Sequence, residues 1–241
     1  MAQSGEPSGG GRHDDHVPVV PPRIGAAPER PRPGLLAAFE GVRSTDVSDA
    51  VGRLYTMAPR IRALYEPAPQ LVGVVLTVKA WPGDNLAVHG ALSMVLPGDV
   101  LVVDWHGYTE GCGTGAESLR DPLARGLAGV VIDGGWRDLP ELAEMGVPVY
   151  GVGAAAFSPA KQQPGELNVP VSCGGVVVHP GDLVVADGEG VAVVPREFAD
   201  LVVAECARAG QSEVDPGSRD SALRRGRHFE TVFAGRGGVR L

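Results

Sequence analysis

The sequence predicts a single α/β domain. Three observations carry this: apolar runs of strand length alternate with helical segments; turn signals stand directly before several of those runs; and the chain is long enough for a buried core. It has 241 residues, 44% hydrophobic and 21% charged, which is ordinary globular composition.

Residues 1–34 are rich in Gly, Pro, Ser and charge. Such a stretch buries too little apolar surface to offset ordering, so a disordered or loosely draped arm is expected. The main domain is expected over 35–215, with a polar tail over 216–241. Residues 35–39 look helical. In STDVSDA (44–50), Ser44 or Thr45 is suited to cap a helix, and Asp46 suits its positive end.

Strand-type runs follow at 71–78 (LVGVVLTV), 99–104 (DVLVVD) and 129–132 (GVVI). Further runs stand at 147–152, 175–178, 183–186 and 191–194. Pro-Gly-Asp turns at 97–99 and 180–182 precede two of them. Helices are expected at 84–96, 116–125 (stopped by Gly126), 139–145 and 197–209.

Several function classes are excluded or disfavoured. The net charge of −8, with no basic run, argues against nucleic acid or an anionic membrane as partner. No stretch reaches the roughly 18 apolar residues of a membrane helix, and the N-terminus lacks the apolar core of a secretory signal. Cys112, Cys173 and Cys206 are odd in number and widely spaced, which indicates reduced thiols and a cytoplasmic setting. No His or Cys pair has zinc-ligand spacing, and there is no Walker loop. His13 and His16 in the arm read as part of a polar tail.

Three stretches carry chemistry. In GVVIDGGWRD (129–138), an apolar strand runs out into a Gly-Gly turn that delivers Arg137 and Asp138 side by side. Strand ends are where α/β proteins bind ligands. Arginine offers a planar fork to a carboxylate, and aspartate offers hard oxygen to Mg²⁺ or Mn²⁺. A plain ion pair capping the next helix is the structural alternative. In EGCGTGAE (110–117), three alternating glycines before a helix form a nest of amides suited to an anion. In GDNLAVH (83–89), Asp84 or Asn85 is suited to cap a helix, with His89 one turn along, catalytic or structural.

Together these stretches resemble the RraA-like / 4-hydroxy-4-methyl-2-oxoglutarate aldolase family. The resemblance runs from about residue 35 to 195 and includes STDVSDA, GDNLAVH, PGDVLVVD (97–104) and GVVIDGGWRD. It continues through GELNVPV (165–171), GGVVVHPGD (174–182) and ADGEGVAVVP (186–195). It implies an α/β/β/α swivelling fold of the phosphohistidine-domain type, assembled as a homotrimer or homohexamer with sites at subunit interfaces. It implies a pyruvate-forming lyase, aldolase or decarboxylase, acting on a 2-oxo or hydroxy dicarboxylic acid. Asp138 then holds Mg²⁺ or Mn²⁺, and Arg137 holds the substrate carboxylate. The loop of Gly115, Ala116, Glu117, Ser118 and Leu119 adds amides.

The chain departs from the family pattern at one place. The aldolase motif is an acidic residue, twenty residues, then Arg-Asp, and here Ala116 stands at the acidic position. Glu117 is a substitute only after a turn of about 100° on the helix. Trp136, beside the motif, is expected to narrow the pocket. Glu205 and Glu213 are candidates for the acid that a neighbouring subunit supplies.

Other readings remain open in the sequence. EGCGTG resembles an S-adenosylmethionine loop, with Asp133 as its acidic partner. A non-catalytic regulator similar to the inhibitors of ribonuclease E needs no metal. A Schiff-base aldolase needs a buried lysine, and the chain has only Lys79 and Lys161. A specialised lyase or decarboxylase with a diverged substrate stays within the enzyme class.

Overall fold

The computed structural model describes residues 20–210 and 219–235. In chain order the elements begin with α1 (Ser44–Ala50), β1 (Arg62–Ala63), β2 (Leu71–Lys79), α2 (Leu86–Ser93) and β3 (Asp99–Cys112). Then come α3 (Ala116–Ala124), β4 (Gly129–Trp136), α4 (Leu139–Glu144), β5 (Val149–Gly151) and β6 (Gly153–Ala154). The last are β7 (Glu166–Leu167), β8 (Val171–Cys173), β9 (Val176–Val178), β10 (Leu183–Asp187), β11 (Gly190–Val194), α5 (Ala199–Gly210) and α6 (Arg219–Gly235).

The main sheet runs β1-β5-β4-β3-β2-β10-β11, with β6 paired to β4 and β7 to β2. Strands β2, β3, β4 and β5 are parallel neighbours. Strand β10 joins β2 antiparallel and β11 folds back on it, giving a mixed α/β domain. Strands β8 and β9 form a separate hairpin.

Residue alternation explains why the central strands are apolar throughout. In β3, Leu101, Val103 and Trp105 face one layer with Ala87, Val88, Ala91 and Leu92 of α2 and Leu119 of α3. Val100 and Val102 face the opposite layer with Val171, Val176 and Val178 of the hairpin. A strand covered on both faces has no solvent side on which to place polar residues. A third cluster joins Phe39, Val47, Val185 and Val194 to Val202 and Cys206 of α5.

The two Pro-Gly-Asp turns are built alike. Gly98 and Gly181 sit in the left-handed region, at φ 81° and 90°. Asp99 then accepts the N–H of Leu96, and Asp182 that of His179, each at 2.8 Å. Both aspartates are buried at the start of a strand. Burial raises the pKa of Asp182, against the pull of its two amide donors.

The structure changes several sequence expectations. Residues 20–34 lie against the domain: Leu167 exchanges backbone hydrogen bonds with Arg23 and Gly25, and Arg30 pairs with Asp99. His13 and His16 lie outside the described residues. Residues 37–39 form a 3₁₀ turn. Neither Ser44 nor Thr45 caps α1, whose N-cap is Arg43, and the Ser44 hydroxyl instead donates to Asp187 at 2.6 Å. The expected polar tail contains the 17-residue α6, where Phe229 and Phe233 stack. Strand β3 continues past Asp104 to Cys112, with register shifts on either side of Tyr108. No helix among the described residues is long and apolar enough to cross a membrane.

Ile132 is fully buried in β4 and packs where a Cβ on Gly113 would stand. Ile132→Ala is expected to lower the unfolding free energy by about 2–5 kcal/mol, read by urea titration.

Candidate active site

The site forms where β3 and β4 run out. Gly113 N–H donates to the Gly135 carbonyl at 2.8 Å, and Arg137 N–H reaches the Thr114 carbonyl at 3.4 Å. These contacts lay the glycine loop alongside the exit of β4. Gly115 is extended (φ −150°, ψ −178°), and it is glycine for lack of room. A Cβ there would collide with Asp138 Oδ2 and stand 2.9 Å from Arg137 Cγ.

Asp138 takes a left-handed conformation (φ 59°, ψ 31°) at the N-cap of α4. Aspartate tolerates this region better than most residues, at a conformational cost that often marks a functional position. Its carboxylate does not cap its own helix. Oδ2 turns to the first turn of α3, where it accepts the Ala116 N–H at 3.3 Å, and it lies 3.4 Å from Arg137 Nε. Both side chains stay over a third exposed, so the ion pair is loose and open to a ligand.

A cavity of about 160 Å³ opens beside this pair. Its lining includes Asn85, His89, Thr114, Gly115, Ser118, Arg137 and Lys161. Larger clefts of about 500 and 630 Å³ lie elsewhere, by Trp81 and by Arg196, away from the Arg137–Asp138 pair. Chemistry rather than size selects the small one. Two buried atoms in its lining, Asn85 Oδ1 and Thr114 Oγ1, have no hydrogen-bond partner. Burial, followed by the charge of Lys161, lowers the pKa of His89 and keeps its imidazole neutral at neutral pH. Burial raises the Cys112 thiol pKa, which suits a structural rather than a nucleophilic cysteine.

The other sequence candidates separate clearly. Ala116 and Leu119 are fully buried and do not line the cavity, and the Ala116 amide is already given to Asp138. Glu117 stands at the rim with its side chain 87% exposed, bonded to Arg120 at 3.2 Å. Arg120 also pairs with Glu141. Trp136 does not narrow the pocket: it is wholly buried, with its indole N–H on the Tyr150 carbonyl at 3.2 Å. Asp133 is held by both nitrogens of a fork from Arg60, at 3.1 and 2.7 Å, and is not a free partner for a cofactor. Lys79 is half exposed beside Glu166, far from the buried lysine a Schiff base needs. Glu205 pairs with Arg208 on α5, and Glu213 lies outside the described residues. Sequence reasoning missed Thr114 and Lys161 as lining. The lysine reaches the cavity from a loop with no motif of its own.

The residues fit a hard divalent cation of one kind. Among the described residues no three His, Cys, Asp or Glu side chains form a metal cluster, and Asp138 is the carboxylate that accepts the Ala116 amide of the loop. Mg²⁺ commonly binds through one or two carboxylates and keeps several waters. The half-exposed Asp138 carboxylate suits that mode and not a closed protein cage.

Gly115→Ala is expected to fold with little loss of stability, because the atoms it strikes, in Asp138 and Arg137, belong to flexible, part-exposed side chains and not to backbone. A crystal structure of the variant should show Asp138 moved off the Ala116 amide.

Comparison with known proteins follows this geometry. Residues 44–193 match the RraA-like family described as Aldolase/RraA. A relative from Halalkalibacterium halodurans is 35% identical over 189 residues, covering 78% of this chain and 88% of its own. It bears the name 4-hydroxy-4-methyl-2-oxoglutarate aldolase in provisional form. A Thermus thermophilus protein with that name in full is 31% identical over 154 residues, covering 64% of this chain and 93% of its own. The crystal structure of Streptomyces coelicolor RraAS2, described as an unusual member of the RNase ES inhibitor RraA family, superposes with a TM-score of 0.68 at 34% identity. That match covers 76% of this chain and 95% of RraAS2.

Proposed function

We propose that this chain, which belongs to the RraA-like Aldolase/RraA family, is a divalent-metal-dependent lyase that releases pyruvate from a 2-oxo dicarboxylic acid. One observation carries the reading: Arg137 and the Gly115 loop line one cavity with Asp138 beside them, fitted so closely that Gly115 has no room for a side chain. The aldolase names of the relatives support it.

The chain's own residues act as follows. The Arg137 fork grips the C1 carboxylate and fixes the orientation of the 2-oxo acid. Lys161 places a second positive charge in the lining for the distal carboxylate. Asp138 would hold Mg²⁺ or Mn²⁺, which when bound supplies a Lewis acid toward the 2-oxo group. Ser118 and the amides of the loop line the side of the cavity next to α3. Glu117 is a rim acid, able to act only after leaving Arg120. Oxaloacetate fits the same arrangement, since loss of CO₂ leaves the same electron pair at C3 as cleavage of a C3–C4 bond does.

The reading includes a homotrimer or homohexamer in the cytoplasm. Three unpaired buried cysteines suit a reducing compartment, and exposed Leu54, Phe198 and Leu201 offer apolar surface for assembly. The inhibitor family of which RraAS2 is described as an unusual member gives a second reading, a docking protein. The partnerless polar atoms in the cavity favour the lyase, because a docking surface has no use for them.

The test is pyruvate release from 4-hydroxy-4-methyl-2-oxoglutarate and from oxaloacetate, with Mg²⁺ or Mn²⁺ and then with EDTA. Turnover is expected with metal and not with EDTA. Asp138→Asn should cut kcat/KM by about 10³-fold, several kcal/mol of lost stabilisation, while the thermal transition holds. Full activity in that variant would remove Asp138 from the metal role.

A further inference from the structure

Resting on the lyase reading, we propose that His89 is the group that takes the proton from the C4 hydroxyl of the substrate. Asn85 and Thr114 beside it make this wall of the cavity selective for 4-hydroxy-2-oxo acids.

The placement follows from the helix. Asn85 is the N-cap of α2 and His89 lies four residues on, so both meet the same face. Both line the cavity that Arg137 lines. The Asn85 side-chain N–H donates to the Gly113 carbonyl at 3.0 Å, which fixes the amide and leaves Oδ1 as a bare acceptor. Thr114 Oγ1 is equally without a partner, in a residue 2% exposed. A buried polar atom left unpaired costs about 1–3 kcal/mol, a cost that a ligand group entering the cavity relieves.

The chemistry of this wall names the group. Asn85 Oδ1 can only accept, and a neutral imidazole accepts at one nitrogen. A carboxylate would meet these acceptors with repulsion, whereas a hydroxyl donates to them. The substrate end with the hydroxyl therefore faces α2, and its C1 carboxylate faces Arg137.

The step balances within one side chain. The imidazole takes the proton from the C4 hydroxyl, whose oxygen becomes a carbonyl. The C3–C4 bond breaks, and its electron pair passes to C3 as the enolate of pyruvate. The imidazolium returns its proton to C3, which completes pyruvate with no net proton change. Oxaloacetate has no C4 hydroxyl, so its decarboxylation does not need the first transfer.

The charged and titratable groups around His89 support a base that is neutral at rest. Lys161 reaches the cavity from its loop, Arg137 from the end of β4, Glu117 from α3 and Cys112 from the end of β3. The Lys161 charge disfavours a protonated ring, and Glu117 is turned toward Arg120. Burial acts in the same direction.

The test is steady-state kinetics on 4-hydroxy-2-oxoglutarate and oxaloacetate with Mg²⁺, across about pH 5–9, for the native enzyme, His89→Gln and Thr114→Val. With the native enzyme, kcat/KM for the hydroxy acid should fall as pH drops through a pKa below the ordinary histidine value. In His89→Gln that acid limb should vanish, and the hydroxy acid should lose about 100-fold more than oxaloacetate. Thr114→Val should lower the hydroxy-acid to oxaloacetate ratio about tenfold without lowering the melting temperature, since its hydroxyl bonds nothing in the fold. A turnover-free readout is the imidazole NMR signal that His89→Gln removes, which should shift on addition of 2-oxoglutarate. A His89→Gln enzyme that keeps both the acid limb and the substrate ratio overturns the assignment and leaves the lyase reading standing. A native enzyme that releases no pyruvate from either substrate overturns the lyase reading, and this one with it.

Discussion

The arrangement depends on a backbone-to-backbone contact between the end of β3 and the exit of β4. Gly113 bonds Gly135, and Gly134 lies so close to β3 that an added Cβ would stand 2.7 Å from both the Trp105 ring and the Tyr108 carbonyl. Side chains on these residues would push the strands apart. The register shifts around Tyr108 let β3 bend over β4 while the ladder below stays regular. That bend brings Gly115 beneath Asp138 and points the first turn of α3 at its carboxylate. The glycines are thus a condition for the site as well as for the strand pairing.

Ala116 reads differently once this contact is seen. Its side chain belongs to the core layer with Leu119, and its amide is the partner of Asp138. An acidic side chain at this position would bring a second negative charge near Asp138. The chain instead keeps the amide, and the acid appears one residue later, where the helical rotation sends Glu117 to Arg120 and solvent. The departure from the family motif therefore keeps this position in the apolar layer without loosening the loop.

Much of the fold was legible because its signal is local. Apolar runs located β2, β3, β4, β10 and β11, with Pro-Gly-Asp turns marking the starts of β3 and β10, and the Gly-Gly turn announced Arg137 and Asp138. What was not legible depends on partners distant in sequence. Ser44 was read as a helix cap, but Asp187, 143 residues away, takes its hydroxyl. The length of β3 was missed because residues 105–112 are polar and glycine-rich and become a strand only against Gly134 and Gly135. Trp136 was placed at the pocket by adjacency, although strand alternation turns it into the core. Lys161 and the bare atoms of Asn85 and Thr114 carry no sequence mark, since being unpartnered is a property of packing.

These misses share a physical cause that also bears on the ligand. The cavity and its edge gather charge from separate segments: Arg137 after β4 with the Asp138 carboxylate beside it, Lys161 from a loop, and Glu117 from α3. Two cations against two carboxylates, Asp138 and the rim Glu117, balance, and a divalent ion on Asp138 would make the site net positive. Enclosure strengthens the imbalance, because screening by water is weakest there. Within a protein of net charge −8, such a site attracts anions that the surface as a whole repels. A dicarboxylate offsets the two charges that such an ion would add, while a monocarboxylate leaves one of them uncompensated. The electrostatics of the cavity thus select for a second acidic group on the substrate, independently of the hydroxyl that the α2 wall is built to receive.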